Sequence, residues 1–261
     1  MKKFRLYIVS LCAILAIVAY SNKKEEREAP AKNVPACIEK PAPLKNVSEQ
    51  ILVRKAYIVS YNKKTKDPNW VAWHLTAAHA DGTCKRPSNA FHEDDDVPSP
   101  RATLGDYRKS GFTRGHMCPA GDNKWDQDAM YQSFLLSNMC PQDAGSNSGD
   151  WNEIEMACRQ WAVKYGDVYI VCGPVFFKQS HQTIGANKVV VPEAFFKVVL
   201  RLGTHPQGIG FICRNEAGNH PKSYYVNTID QVERITGIDF FPRLSDNIEN
   251  AVEAHANINA W

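Results

Sequence analysis

The sequence lacks any pair of cysteines with the spacing C-x-x-C, although it contains eight cysteines. A zinc knuckle or a thioredoxin-like redox motif depends on such a pair, so neither is indicated. The chain also shows no internal repeat and no long low-complexity tract. With 261 residues, 44% of them hydrophobic and 23% charged, it has the composition of an ordinary globular protein of one large or two small domains.

The chain also has little net charge. Its formal net charge is +3, and residues 1–20 contribute three positive charges and no negative one, so residues 21–261 are neutral overall. Global charge therefore gives no argument for nucleic-acid binding. Any function of that kind must depend on a local site.

The N-terminal region has a composition of its own. Three basic residues precede an apolar run over residues 6–20, and this order is typical of a secretory signal peptide over residues 1–20. An uncleaved N-terminal anchor is the alternative. Residues 21–50 are charged and rich in Pro and Ala, which predicts a disordered tether. We therefore expect the folded domain over residues 51–261.

Leader and tether together resemble a bacterial lipoprotein leader. A lipid anchor is not indicated, because Tyr20 stands where the lipidated cysteine is expected and Leu11 precedes Cys12. The simpler prediction is export, to the periplasm, the medium or the outer surface of a bacterium. Export permits disulfides. Seven cysteines follow Cys12, an odd number that leaves a free thiol or an intermolecular bridge. The pairing stays open, with Cys118 and Cys140 as the pair to test.

Hydrophobic patterns predict a mixture of strands and helices. Alternating β-formers on both sides of a turn at 63–68 predict a hairpin, and the apolar spacing after Trp151 predicts a helix that ends at Gly166. A short apolar strand that ends at Pro141 is expected within 130–142, and further strands over 167–176, 188–202 (with an edge or a break at Pro192) and 208–214. Further helices are expected over 227–237 and 246–256. Without regular βαβ alternation, this favours an α+β fold with a mainly antiparallel central sheet flanked by helices.

A histidine lies in the polar stretch SGFTRGHMCPAGDN, residues 110–123. Arg114 places a cation next to His116, and Gly115 is expected to let the backbone turn tightly so that the histidine faces a site. A neutral histidine titrates near neutral pH and can take a proton from water. The alternative is a polar residue in an ordinary surface turn.

Asn147, Trp151 and Glu155 are spaced i, i+4 and i+8, so on one helix they fall within an arc of about 80°. We expect Asn147 at the N-terminus of that helix and Glu155 on the same face. An amide oxygen and a carboxylate suit a hard cation such as Mg²⁺, which retains several waters and needs few protein ligands. The alternatives are an Asn that caps the helix and a Glu on its solvated flank. For Trp151 we expect core packing.

Taken together, GFTRGHMCPAGDN and SFLLSNMCPQDAGSNSGDWNEIE resemble the DNA/RNA non-specific endonucleases of the endonuclease G type, the ββα-metal nucleases. The family pattern is Asp-Arg-Gly-His, then a strand that ends in Ser-Asn-x-x-Pro-Gln, then Asn, Trp and Glu along a helix. The resemblance extends from about Lys55 to Phe241 and includes TGIDFFPRL. It implies the ββα-metal nuclease fold.

The resemblance also implies roles for five residues. His116 corresponds to the general base that activates water, and Asn147 to a direct ligand of a single Mg²⁺ or Mn²⁺ ion. Glu155 acts on that ion through water. Arg114 contacts the substrate or organises the loop. Arg86, in CKRPSNAF, corresponds to an arginine that stabilises charge on the phosphate.

The activity implied is hydrolysis of phosphodiester bonds in DNA and RNA, with little sequence specificity and with 5′-phosphate ends. DNA and RNA are the expected partners; no stable protein partner is evident, and a homodimer stays open. Thr113 departs from the family pattern, because it replaces the leading Asp by a hydroxyl without charge. That change affects the pH optimum and rate more than the reaction type. The alternative function is a catalytically impaired, exported nucleic-acid-binding protein on the same scaffold.

Overall fold

Strands dominate the centre of residues 34–261, the part of the chain that the computed structural model describes. The strands are β1 (Gln50–Val53), β2 (Ile58–Asn62), β3 (Asp67–Thr76), β4 (Thr113–His116), β5 (Met139–Gln142), β6 (Asp167–Val175), β7 (Thr183–Ile184), β8 (Val189–Val190), β9 (Ala194–Arg201), β10 (Gln207–Arg214) and β11 (Val226–Asn227). Seven of them form one antiparallel sheet in the order β1-β2-β3-β6-β9-β10-β11. The pairs β4-β5 and β7-β8 form two small sheets.

Helices cover both faces of the large sheet. They are α1 (Ala77–Ala80), α2 (Leu104–Tyr107), α3 (Gln127–Gln132), α4 (Ala144–Ser148), α5 (Asp150–Tyr165), α6 (Ile229–Thr236) and α7 (Asp246–Glu253). One face packs against α5, and the other against α6 and α7. The predicted α+β fold with a mainly antiparallel sheet is confirmed.

The sequence of α5 explains why this helix lies against the sheet. Trp151, Ile154, Cys158 and Trp161 recur at helical spacing, and all are buried in the core that α5 shares with the sheet. The helix ends at Gly166, whose φ of 94° is a conformation that favours glycine. The predicted helix and the core position of Trp151 are therefore confirmed.

Most other sequence-based elements are also confirmed. β2 and β3 form the predicted hairpin, Pro192 separates β8 from β9, and Thr228 opens α6 with a capping box. The short strand predicted within 130–142 is β5, which covers only Met139–Gln142. The first residues of this range are helical, because α3 ends at Gln132. This helix begins after Asp126, whose side chain accepts hydrogen bonds from two backbone N–H groups.

The N-terminal predictions fall largely outside the described residues. This applies to the signal peptide over residues 1–20 and to the first part of the tether over residues 21–50. Residues 34–49 already contact the folded domain: Ile38 is fully buried, and Ala42 N donates a hydrogen bond to Asp239 O at 3.0 Å. No helix within residues 34–261 is long and apolar enough to cross a membrane.

The cysteines after Cys12 are all unbonded in the structure. Five of them are buried, among them Cys118 and Cys140, whose tentative pairing in a disulfide is therefore wrong. Both instead fill the core next to β4 and β5. Burial raises the pKa of each of these two thiols, which keeps them protonated.

Candidate active site

His116 is held by the small sheet of β4 and β5, not by a surface turn. It lies opposite Met139, and Gly115 lies opposite Cys140. A Cβ atom on Gly115 would meet Gln142 Oε1 at 2.0 Å, so glycine is required by this close approach. The expectation that Gly115 permits a tight turn is wrong, since it is an ordinary strand residue. The glycine allows β5 to pack tightly against the strand that carries His116.

The basic residues of the site pack against two phenylalanines, Phe91 and Phe134. The His116 ring lies 4.9 Å from the ring of Phe134 and 5.5 Å from that of Phe91. The Arg114 guanidinium lies 4.1 Å from the Phe91 centroid, and that of Arg86 lies 4.9 Å from the Phe134 centroid. Flat guanidinium groups stack well on aromatic faces. The structure thus brings together three of the predicted residues: Arg86, Arg114 and His116.

Burial and two neighbouring arginines keep His116 neutral. Burial, together with the positive charges of Arg86 and Arg114, lowers the pKa of His116 from 6.5 to about 3. Its Nε2 atom is buried and has no hydrogen-bond partner among the described residues. A neutral imidazole with a free nitrogen near two guanidinium groups can accept a proton next to a bound anion.

Neutralising Arg114 is therefore expected to raise the pKa of His116 towards 6.5. We predict that the Arg114→Gln variant shows this rise in an NMR titration of the histidine rings in buffer with EDTA. Arg108→Gln, which removes an exposed arginine, is the matched control and leaves the pKa of His116 unchanged. A wild-type His116 that titrates near 6.5 contradicts this account.

Thr113 orients the side chain of Asn147. Thr113 Oγ1 donates a hydrogen bond to Gln142 O at 2.8 Å and accepts one from Asn147 Nδ2 at 3.0 Å. Because the amide nitrogen is engaged, Asn147 Oδ1 is left as the free end, and no described residue donates to it. The Thr113 hydroxyl, which replaces the family Asp, therefore fixes the orientation of the Asn147 amide.

Asn147 and Glu155 do not share one helix, contrary to the prediction. Asn147 lies in α4 and Glu155 in α5, and the two helices are separated by Gly149 with φ −101° and ψ −113°. The chain stays compact across this break, because Gly149 N donates to Gly145 O and Glu153 N donates to Gly149 O. Asn147 nevertheless lies next to the strand that carries His116, because its side chain donates to Thr113 in β4.

Removing the Thr113 hydroxyl is expected to weaken the binding of a divalent ion. We predict that Thr113→Val requires about 10–100 times more Mg²⁺ for half-maximal activity, the usual cost of losing a group that orients a metal ligand. Thr113→Ser keeps the hydroxyl and stays close to wild type. If the valine and serine variants show the same Mg²⁺ dependence, the orienting role of Thr113 is refuted.

Glu155 is half-buried and lies in a group of charged side chains, of which Asp122 and Lys197 are buried. Burial raises its pKa from 4.5 to about 7, Lys197 and Arg159 lower it, and Asp122 raises it. Arg159 Nη1 in turn donates to Asp122 Oδ1 at 2.9 Å, and Trp73 Nε1 donates to Asp122 Oδ2 at 3.1 Å. Near neutral pH the Glu155 carboxyl thus ionises readily when a cation approaches.

Arg159 and Lys197 were not found from the sequence. Arg159 stands four residues after Glu155, a spacing that places both on one side of α5 and could have indicated it. Lys197 is 1% exposed, and its Nζ lies 4.4 Å from the ring of Trp151 and 5.0 Å from that of Trp73. A lysine in the middle of an apolar strand has no local sequence pattern that would predict its place in a site.

The donor set fits a hard cation. An amide oxygen on Asn147 accepts no hydrogen bond from the described residues, and the carboxyl group of Glu155 has a pKa near neutrality. Both are oxygen ligands of the kind that Mg²⁺ and Mn²⁺ take. A cleft of about 360 Å³ opens beside Arg86 and is bordered by the exposed side chains of Lys85 and Lys124. Its positive charge suits a phosphate backbone.

Comparison with known proteins gives the family of this chain. The model of the DNA/RNA non-specific endonuclease family matches residues 35–247. The chain belongs to this family. Its members are metal-dependent nucleases. A chain of the solved EndoG/EndoGI complex superposes with a TM-score of 0.73 and 30% identity, over 77% of this chain and 89% of that chain. The ββα-metal nuclease fold implied by the sequence is therefore confirmed.

Curated relatives give the same assignment. Human mitochondrial nuclease EXOG is 36% identical over 205 residues, 72% of this chain and 56% of the relative. Nuclease C1 of Cunninghamella echinulata var. echinulata is 39% identical over 214 residues, which cover 76% of this chain and 84% of the relative. Mitochondrial endonuclease G of Bos taurus is 34% identical over 209 residues, which cover 75% of this chain and 70% of the relative. This chain spans a little over half the length of the EXOG relatives.

The relatives contradict the predicted location. EXOG and endonuclease G are named as mitochondrial proteins, whereas the sequence predicted a periplasmic, secreted or outer-surface bacterial protein. That prediction relied on the order of basic and apolar residues at the N-terminus. Such an order depends on composition alone and does not identify the membrane to which a leader is addressed.

Proposed function

We propose that this chain is a metal-dependent endonuclease that hydrolyses phosphodiester bonds of DNA and RNA with little sequence specificity and leaves 5′-phosphate ends. The observation that carries the proposal is His116, a neutral base whose ring contacts the same two phenylalanines as the guanidinium groups of Arg86 and Arg114. Two fixed cations beside a base suit a reaction at an anionic phosphate.

His116 takes the proton from the attacking water. Its low pKa in the free protein reflects the repulsion of Arg86 and Arg114 as well as burial. A phosphate bound between these guanidinium groups offsets their charge, so proton acceptance by His116 becomes easier when the substrate is present. Arg86 and Arg114 also hold the phosphate through charge-assisted hydrogen bonds.

Asn147 and Glu155 would hold one Mg²⁺ or Mn²⁺ ion. Asn147 would bind it directly through Oδ1, and Glu155 would act on its hydration shell. When bound, the ion neutralises the charge that grows on the leaving oxygen. Thr113 fixes the Asn147 amide, and Lys197 and Arg159 favour the ionised form of Glu155.

Both nucleic acids qualify as substrates because water is the nucleophile. No 2′-hydroxyl is required, and contacts confined to the phosphate backbone carry no sequence information. Four exposed or partly exposed basic residues, Lys85, Arg86, Arg114 and Lys124, lie on the side of the molecule that would meet the backbone. Binding through such contacts weakens as salt concentration rises.

Cleavage of random-sequence single- and double-stranded DNA and RNA tests the proposal. We expect all four substrates to be cut with Mg²⁺ or Mn²⁺, to carry 5′-phosphates, and to be protected by EDTA. Raising the salt from 50 to 200 mM is expected to raise KM more than it lowers kcat. Activity undiminished by EDTA would overturn the metal assignment, and cleavage confined to RNA would overturn the mechanism with water as nucleophile.

A further inference from the structure

A second group of carboxylates lies on the face of the large sheet opposite α5. Asp230 and Glu233 are one turn apart on α6, and Glu253 is the last residue of α7. One carboxylate oxygen from each residue lies within 4.8 Å of the other two. The two helices that carry these residues pack on β10, where a Cβ atom on Gly208 would meet Val252 O at 2.3 Å. The cluster therefore joins the C-terminal helix to its neighbour.

Glu253 gives an independent sign that this cluster binds a ligand. Its side chain is only 7% exposed, and its Oε1 atom is buried without a hydrogen-bond partner among residues 34–261. A buried carboxylate oxygen without a donor carries a large desolvation cost. Its position next to two further carboxylates adds repulsion, so the arrangement needs a positive ligand or a proton.

Positive side chains do not supply that charge. Within the described part of the chain, Asp230, Glu233 and Glu253 form no ion pair with any lysine or arginine. Burial and neighbouring carboxylates raise the pKa of Glu253 to about 8 and that of Glu233 to about 7. Glu233 is fixed in place, because its Oε1 accepts a hydrogen bond from Phe240 N at 2.7 Å.

We propose that Asp230, Glu233 and Glu253 form a second divalent-cation site, of the calcium type, which ties α7 to α6 and is separate from the nuclease centre. Oxygen ligands at 2.3–2.6 Å from Ca²⁺ stand at most about 5 Å apart, and the carboxylate oxygens of the cluster all lie within 4.8 Å of one another. Mg²⁺ demands near-ideal octahedral geometry and keeps several of its waters, so a set of three carboxylates suits Ca²⁺ better. The role is structural and does not depend on the proposed activity.

Calcium binding is measured in a background without the proposed nuclease ion site. The Asn147→Ala variant, stripped of metal, is titrated with CaCl₂ at pH 7.5 by isothermal calorimetry. We expect one Ca²⁺ per chain, and a loss of affinity of at least about tenfold when Glu253→Gln is added. At a hundredfold excess over Kd, Ca²⁺ is expected to raise Tm by roughly 5–10 °C in Asn147→Ala and much less in the double variant.

Two further variants keep the test decisive. Asp230→Asn, added to Asn147→Ala, changes a more exposed ligand and weakens Ca²⁺ binding even if the Glu253 variant does not fold. Asp246→Asn is the matched control, because it removes the same charge from the other end of α7 and leaves the affinity unchanged. The proposal is overturned if Asn147→Ala binds no Ca²⁺, or if the Asp230 and Asp246 variants bind it equally tightly.

Discussion

Replacing His116 by Ala is expected to lower the rate of phosphodiester cleavage by about 10²–10⁴-fold, the usual contribution of a positioned general base. The loss comes from chemistry, because the substrate is held mainly by Arg86 and Arg114, which remain. We therefore expect kcat to fall and KM to change little. Steady-state kinetics on a defined oligonucleotide, with wild type and variant at equal concentration, measures both.

Two controls separate loss of the base from loss of the fold. The His116→Ala variant is expected to keep a cooperative thermal transition, since Phe91 and Phe134 still pack against each other at 5.1 Å. His205→Ala removes an exposed histidine and leaves the rate unchanged. Added imidazole can enter the space between the two arginines and is expected to restore part of the rate. A folded His116→Ala variant with wild-type kcat contradicts the assignment of the base.

The Glu155→Gln variant is expected to lose activity and to gain stability at alkaline pH. Activity falls by about 10–100-fold, because the neutral amide holds the hydration shell of the ion less well. The stability gain follows from burial, which raises the pKa of Glu155 to about 7 in the folded protein, against 4.5 for the free group. Folding therefore favours the protonated form between these two values.

The direction of the pH dependence follows from that shift. The stability that Glu155 contributes as a protonated group is fully present below pH 4.5 and is lost as pH rises through about 7. We expect urea unfolding in EDTA to show Glu155→Gln more stable than wild type at pH 8, with a smaller difference at pH 5. Glu153→Gln, on an exposed position of the same helix, is the control. A destabilised Glu155→Gln variant at pH 8 would count against a buried, costly carboxylate.

Spacing along the sequence was sufficient to select most residues of the candidate site. Arg114 and His116 are near neighbours in one strand, and β4 pairs with β5, so their positions follow from local order and one hairpin-like pairing. The spacing of Asn147 and Glu155 identified both residues but misplaced the first of them. Ser148-Gly149 is a dipeptide typical of turns, but the sequence does not give the backbone dihedrals that divide α4 from α5.

Other parts of the site depend on contacts between distant segments. The Thr113 hydroxyl accepts a hydrogen bond from Asn147, 34 residues later. Its role in orienting Asn147 could therefore not be derived from the Arg-Gly-His motif that it precedes. Lys197 reaches the site only because β9 lies beside β6 beneath α5. The bounds of the short strand within 130–142 could not be predicted for a different reason, since a short apolar run fits a helix and a strand equally well.

Cleavage of closed circles tests the central claim most directly, because a circle has no end from which to be degraded. Covalently closed DNA and circular RNA are incubated with wild type and with folded His116→Ala, each with Mg²⁺ and with EDTA. We expect wild type to open both circles with Mg²⁺ and neither with EDTA, and His116→Ala to leave both intact over the same time. Circles that stay closed while linear substrates are degraded, or circles opened equally by the His116 variant, contradict the account.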